Sequence, residues 1–203
     1  MHYPRTLPEE EKIYLERIRQ DYFSNPLHPI KIDVEVEGQF IDDNKNFLIG
    51  CIAGPSSSIE NLIHEMAHFA EREPNKLLRR PRSSWGLNYG KQQVILGKVF
   101  NEPATAQGVK RELRVWAFQI NIQKHYEIPV DPEELVESIV YVNSFCNYHL
   151  FKDREKDITY TEKERKAIAL QEVLELTKTF TYKQFKENWD HRINLLLKQK
   201  LKR

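Results

Sequence analysis

The sequence predicts an α+β fold in which a small twisted antiparallel or mixed sheet packs on two helices that carry a candidate metal site. Three observations lead to this prediction: two short segments with the hydrophobic pattern of strands, helical periodicity directly after them, and further helical patterns towards the C-terminus. A proline boundary near residue 129 divides the 203 residues into a core with an N-terminal helix, 1–128, and a helical part, 129–203. We expect the helical part to pack on the core as one unit.

The chain begins with a predicted helix and two predicted strands. Apolar residues recur at roughly helical intervals from Glu9 to Phe23. Ile30–Val36 alternates apolar and polar residues, which is typical of a half-exposed strand. After a turn at 42–46, Phe47–Ala53 has the pattern of a more buried strand, and the two strands together are interpreted as a hairpin. An edge strand of this sheet could bind an extended peptide.

The next predicted helix carries the strongest functional pattern, His64-Glu65-Met66-Ala67-His68. The helix should begin near Ser57 or Ser58, after Gly54-Pro55, and end before Pro74. Because four residues make about one turn, both histidines leave the same face and can bind one metal ion. Glu65 stands one step around the helix, a place that suits a general base acting on water. The alternative is two surface histidines on an ordinary amphipathic helix.

A catalytic zinc site needs a third protein ligand, and the predicted helix from Glu102 to Lys124 is the best source. At about 100° per residue, with Val109 at zero, Glu112 falls near 300°, at the edge of the apolar face. A carboxylate there is costly unless it is paired or binds a cation. Glu112 is therefore the first candidate, and Glu102, close to the predicted helix start, is the second. The other interpretation of Glu112 is a salt bridge to Arg111, Arg114 or a lysine.

The pattern His64-Glu65-x-x-His68, with a glutamate on a later helix, resembles the gluzincin group of zinc metallopeptidases, and more narrowly the small intracellular minigluzincins. The resemblance implies that His64, His68 and Glu112 hold zinc and that Glu65 activates water. The segment Glu112–Phe118 is also similar to the glutamate-bearing helix of the repressor-cleaving metallopeptidases of phages and mobile elements. The resemblance covers about residues 30 to 124.

One position departs from the gluzincin pattern. Many gluzincins carry an aspartate or asparagine four residues after the third ligand, where it orients a histidine, and this position is Trp116. An indole N–H cannot accept the proton of a histidine. Either another group orients the histidine, or Glu112 is not the ligand.

Other residues are weaker candidates for the site. Tyr89, in the loop 85–90 between the two metal-bearing helices, is a candidate donor to a tetrahedral oxyanion, although a packing role is the alternative. No spacing ties His125, His149 or His191 to the metal helix, so we do not expect them to be ligands.

Composition narrows the protein class. The 31 basic and 30 acidic residues leave a formal charge of +1, so the overall charge does not favour nucleic-acid binding, although basic clusters at 79–82 and 198–203 leave it open. Cys51 and Cys146 have neither disulfide-framework nor zinc-site spacing, which indicates free thiols in a reducing compartment. With neither a signal-peptide pattern nor a membrane-spanning run, we expect a cytoplasmic protein with no membrane contact. The oligomeric state is left open.

Three more helices are predicted after the boundary. Asp131-Pro132 is a typical helix start, Thr161 and Glu164 form a capping box, and Thr181 to Leu201 has the pattern of a last helix.

Taken together, the patterns predict a zinc-dependent metallopeptidase that hydrolyses a protein or peptide substrate, with Glu65 as the base that activates the zinc-bound water. The alternative is a metallopeptidase-like regulatory or interaction protein that binds a protein or DNA partner, with zinc structural or absent. A third hypothesis is a DNA-linked protease of the SprT-like kind. Glu112 as the third ligand argues against this hypothesis, because the metal site of such proteins resembles one that a histidine completes.

Overall fold

The computed structural model describes residues 9–25, 28–33, 40–42, 47–50, 58–71, 102–131, 135, 152–153, 158–159 and 161–200. Within these ranges the helices are α1 (Glu9–Tyr22), α2 (Ser58–Glu71), α3 (Glu102–Tyr126), α4 (Glu162–Thr177) and α5 (Tyr182–Lys200). The strands are β1 (Ile30–Asp33), β2 (Phe40–Asp42), β3 (Phe47–Gly50), β4 (Lys152–Asp153) and β5 (Ile158–Thr159).

The described part of the chain is predominantly helical, so the predicted α+β class is wrong. Its helices run from 14 to 25 residues, whereas its strands have only two to four. Among the side chains whose burial the structure describes, most of the buried apolar ones belong to helices, and Ile30 belongs to a strand. Alternating hydrophobicity indicates that a segment can be extended, but it does not determine whether a sheet or packed helices build the core.

The predicted hairpin is also paired differently. β3 lies between the other two strands, parallel to β1 and antiparallel to β2. The predicted turn therefore connects β2 to β3, and its residues 43–46 lie outside the described ranges. A hydrophobic pattern identifies a strand but not its partner, because that choice depends on the connections.

Helix α2 begins at Ser58 and ends at Glu71, which confirms the predicted bounds. Its apolar stripe is fully buried, and it consists of Ile59, Leu62, Ile63, Met66, Ala67, Phe69 and Ala70. At its first turn, the backbone N–H of Ile59 donates to Oε2 of Glu11 at 3.1 Å. A carboxylate at this end satisfies a free N–H and interacts favourably with the helix dipole. Helix α1 therefore anchors the start of α2.

Helix α5 closes the core behind α2. Trp189 packs edge-on against Phe69, with ring centroids 4.8 Å apart, and against Tyr22 of α1 at 5.3 Å. Because Phe69 directly follows His68, this aromatic packing supports the helix segment that carries the second histidine. Helices α1 and α5, the first and last described helices, therefore meet in the aromatic cluster that supports the His68 end of α2.

Helix α4 covers the other side of α3. Its Ala169 and Val173 are buried in one apolar cluster with Leu113, Trp116 and Ile120. The predicted capping box at its start is present, since the Thr161 side chain accepts from the Glu164 N–H and the Glu164 side chain accepts from the Thr161 N–H. The predicted last helix is confirmed as α5.

The predicted helix after Asp131-Pro132 and the expected lack of a membrane-spanning helix can be compared with the described residues only in part. Most of the helix predicted after Asp131-Pro132 lies outside them. No helix within the described ranges is both long enough and apolar enough to cross a membrane.

Candidate metal centre

The candidate site lies where α2 and α3 pack side by side. Polar contacts join the two helices in a series that we call the polar ladder: Glu60 to Gln123, His64 to Gln119, His68 to Glu112, and Glu71 to Arg111 and Arg114. Residue numbers rise along α2 while they fall along α3, so the helices are antiparallel. The polar ladder runs between buried apolar residues of the two helices. The predicted metal ligands are members of this ladder.

The two histidines and Glu112 converge on one point. Glu112 Oε2 lies 3.3 Å from His68 Nε2 and 3.8 Å from His64 Nε2, and the three candidate donor atoms all fall within 4.8 Å of one another. The imidazole rings are nearly perpendicular, with centroids 4.7 Å apart. Ligands of a tetrahedral zinc at about 2.0–2.1 Å would be roughly 3.3 Å from each other. The two separations that involve Glu112 are near this value, so the three residues could hold a zinc ion once their donor atoms draw together around it.

Burial and charge act together on these three groups. Burial lowers the pKa of His64, and the neighbouring His68 lowers it further. Burial also opposes protonation of His68, but attraction to Glu112 and a hydrogen bond with it raise the pKa of His68 overall. Burial would raise the pKa of Glu112, yet the charge of His68 and the same hydrogen bond keep it below its usual value. The site therefore pairs an ionised carboxylate with imidazoles, which is the donor set that zinc prefers.

Glu65 lies beside this cluster without being one of the three converging donors. It is half-buried, and its negative charge raises the pKa of both His64 and His68. The charge of Glu65 therefore acts on both histidines.

Among the side chains that the structure describes, Glu112 is the carboxylate that contacts both histidines. Glu102 is the first residue of α3, and ten residues of helix place its backbone about 15 Å from that of Glu112. The side chain of Glu102 lies outside the described part of the structure. Arg111 and Arg114, the two arginines considered as partners of Glu112, donate hydrogen bonds to Glu71.

No protein-family model, curated protein or solved structure matches this chain. The likeness to gluzincins therefore depends on the residues of the site alone.

The sequence interpretation missed Gln119. Its side-chain Oε1 lies 2.9 Å from His64 Nδ1, and the residue is only 6% exposed. A signal for it was present, because on the same helical wheel Gln119 falls near 280°, within about 20° of Glu112. Two polar residues seven positions apart on a buried face indicate that both have partners.

The remaining candidates are placed as follows. Trp116 occupies the position between Glu112 and Gln119, and its ring lies 5.5 Å from that of His64. His125 is exposed and stacks on Tyr182 of α5, and His191 is exposed, so neither belongs to the cluster. Tyr89 and His149 lie outside the described residues.

Proposed function

We propose that this protein is a zinc-dependent metallopeptidase whose metal is held by His64, His68 and Glu112. The observation that carries the proposal is the convergence of these three donors within 4.8 Å, with Glu65 next to the first histidine. Within the described part of the chain the cluster has two imidazoles and one carboxylate, which leave a fourth position of a tetrahedral ion for water or substrate, as hydrolytic zinc sites require. A structural zinc site would instead be closed by a fourth protein ligand.

The chain's own residues divide the work of peptide hydrolysis. Bound zinc would supply Lewis-acid polarisation of the peptide carbonyl and of a water molecule. Glu65 would take a proton from the attacking water and pass it to the departing amine as the peptide C–N bond breaks. The half-buried position of Glu65 suits this role, because a carboxylate partly shielded from solvent interacts more strongly with the reacting groups.

The strands beside α2 offer a place for an extended substrate. In the described sheet β2 is an edge strand, and it contacts α2, the helix that carries the histidines. A peptide that adds to such an edge would run past the metal helix with its backbone held by main-chain hydrogen bonds. This edge supports the proposal that the substrate is a protein or peptide in extended form.

The test separates metal binding from catalysis. Glu65→Gln keeps the size of the side chain but removes the base, so we expect about one zinc per chain and a loss of peptide hydrolysis on the order of 10²-fold or more. His68→Ala removes a ligand and should lose both zinc and activity. Zinc content is measured on purified protein by atomic absorption, and hydrolysis with a library of fluorogenic peptides.

Two outcomes would contradict the proposal. Hydrolysis that persists at the original rate in purified Glu65→Gln would exclude this residue as the base. A wild-type protein that takes up no zinc and has normal stability would point to a regulatory or interaction protein with a metallopeptidase-like site.

A further inference from the structure

We infer that Gln119 is a positioning residue that fixes the tautomer and the direction of the His64 ring, a role that the indole of Trp116 cannot perform. The inference depends on the proposed metal site. It concerns how the chain prepares that site, and a peptidase assay is not needed to test it.

The hydrogen bond between Gln119 and His64 determines which ring nitrogen of His64 is free for the metal. Oε1 of Gln119 is an acceptor only, so the 2.9 Å contact requires the proton of a neutral imidazole to be on Nδ1. The other nitrogen, Nε2, then carries the lone pair, and it is this atom that faces Glu112 at 3.8 Å. One hydrogen bond therefore aims the ligand nitrogen at the point where the three donors meet.

The surroundings of Gln119 make the contact specific. Gln119 is buried on α3, and a buried amide without a partner is costly, so the ring and the amide hold each other. The Trp116 ring lies beside His64 on the same helix and limits the rotation of the imidazole. Gln119 lies about one helical turn beyond Trp116, so the group that orients His64 is displaced by one turn from the position in the gluzincin pattern.

An amide suits this site better than a carboxylate. Glu112 and Glu65 already act on the two histidines with two negative charges, which would balance one divalent cation. A third buried carboxylate would lower the stability of the metal-free protein, because its charge is uncompensated until a cation binds, whereas an amide oxygen accepts the proton without this cost. Gln119 therefore orients the ring and leaves the charge of the occupied site close to neutral.

The helix provides a matched control for the test. Gln123 is also a buried glutamine of α3, but it donates to Glu60 at 3.2 Å and belongs to the next rung of the polar ladder. Gln119→Met and Gln123→Met remove the same functional group from neighbouring turns. The variant Gln119→Glu keeps an acceptor beside His64.

Zinc affinity is measured by competition with a chromogenic chelator. We expect Gln119→Met to bind zinc about 10- to 100-fold more weakly than wild type, Gln123→Met to stay within about twofold, and Gln119→Glu to recover most of the loss. Equal zinc affinity in Gln119→Met and wild type would overturn the inference. So would a Gln119→Glu variant as weak as Gln119→Met, since that result indicates a purely structural role.

A spectroscopic measurement on the wild-type protein avoids any folding defect of the variants. Long-range ¹H–¹⁵N spectra of the metal-free protein should show the His64 proton on Nδ1, and a proton on Nε2 would overturn the inference. Wild-type protein with this tautomer but no uptake of zinc would contradict the proposed function while supporting the positioning role.

Discussion

Replacement of Glu71 by glutamine should destabilise the protein, because this residue joins the C-terminal end of α2 to the middle of α3. Its carboxylate is only 6% exposed and accepts hydrogen bonds from Arg111 Nε at 2.6 Å and from Arg114 Nε at 2.9 Å. A second nitrogen of Arg114 also contacts it. Glu71→Gln keeps the shape but leaves two guanidinium groups without their counter-charge.

The size of the effect follows from the exposure of the partners. Breaking a fully buried ion pair costs about 3–5 kcal/mol, whereas an exposed pair contributes about 0–1 kcal/mol. The side chains of Arg111 and Arg114 are 34% and 35% exposed, so water can partly replace the carboxylate. We therefore expect a loss of about 2 kcal/mol, or a melting temperature lower by roughly 4–8 °C for a chain of this size.

Urea unfolding of the metal-free protein, followed by circular dichroism, measures the loss. The matched control is Glu175→Gln, whose partner Lys178 is 70% exposed, and its unfolding midpoint should equal that of wild type. If the free energy of unfolding of Glu71→Gln lies within about 0.5 kcal/mol of the wild-type value, water replaces the carboxylate at both arginines, and the predicted destabilisation is wrong.

Two further measurements test the site and the core. Zinc affinity should rise with pH through the raised pKa of His68 and then level off, because below that pKa the metal must displace a proton that Glu112 stabilises. Calorimetry in buffers of different ionisation enthalpy counts the protons released, and an affinity independent of pH from about 6 to about 8 would contradict this assignment. Trp189→Ala should cost about 3–5 kcal/mol in urea unfolding, since the ring is 1% exposed and packs on Phe69. A loss below about 1 kcal/mol would mean that the aromatic cluster collapses around the gap.

The site was more predictable from sequence than the fold. Helical spacing alone places both histidines on one face and Glu112 at the edge of a buried face, and these relations are local to single helices. To predict the contact between Glu112 and the histidines, one further assumption was needed, that a buried carboxylate has a cationic or metal partner. Glu112 is adjacent to both histidines.

The failures share a physical cause. The pairing of β1 with β3, and the dominance of helices in the core, depend on contacts between segments that are distant in the chain. The role of Gln119 also depends on the side-by-side packing of α2 and α3, because nothing within α3 identifies His64 as its partner. Sequence periodicity describes each element but not its neighbours.

The polar ladder makes the spacing within each helix as important as the identity of its residues. Its rungs follow one another in phase over eleven positions of α2, from Glu60 to Glu71. One inserted residue would turn everything beyond it by about 100°, so the rungs on one side of the insertion would lose their partners while those on the other side kept them. An insertion between Glu60 and His64 would separate every candidate ligand on α2 from α3 without removing a single one of them. Length changes should therefore be tolerated in the connections between these helices and selected against inside them.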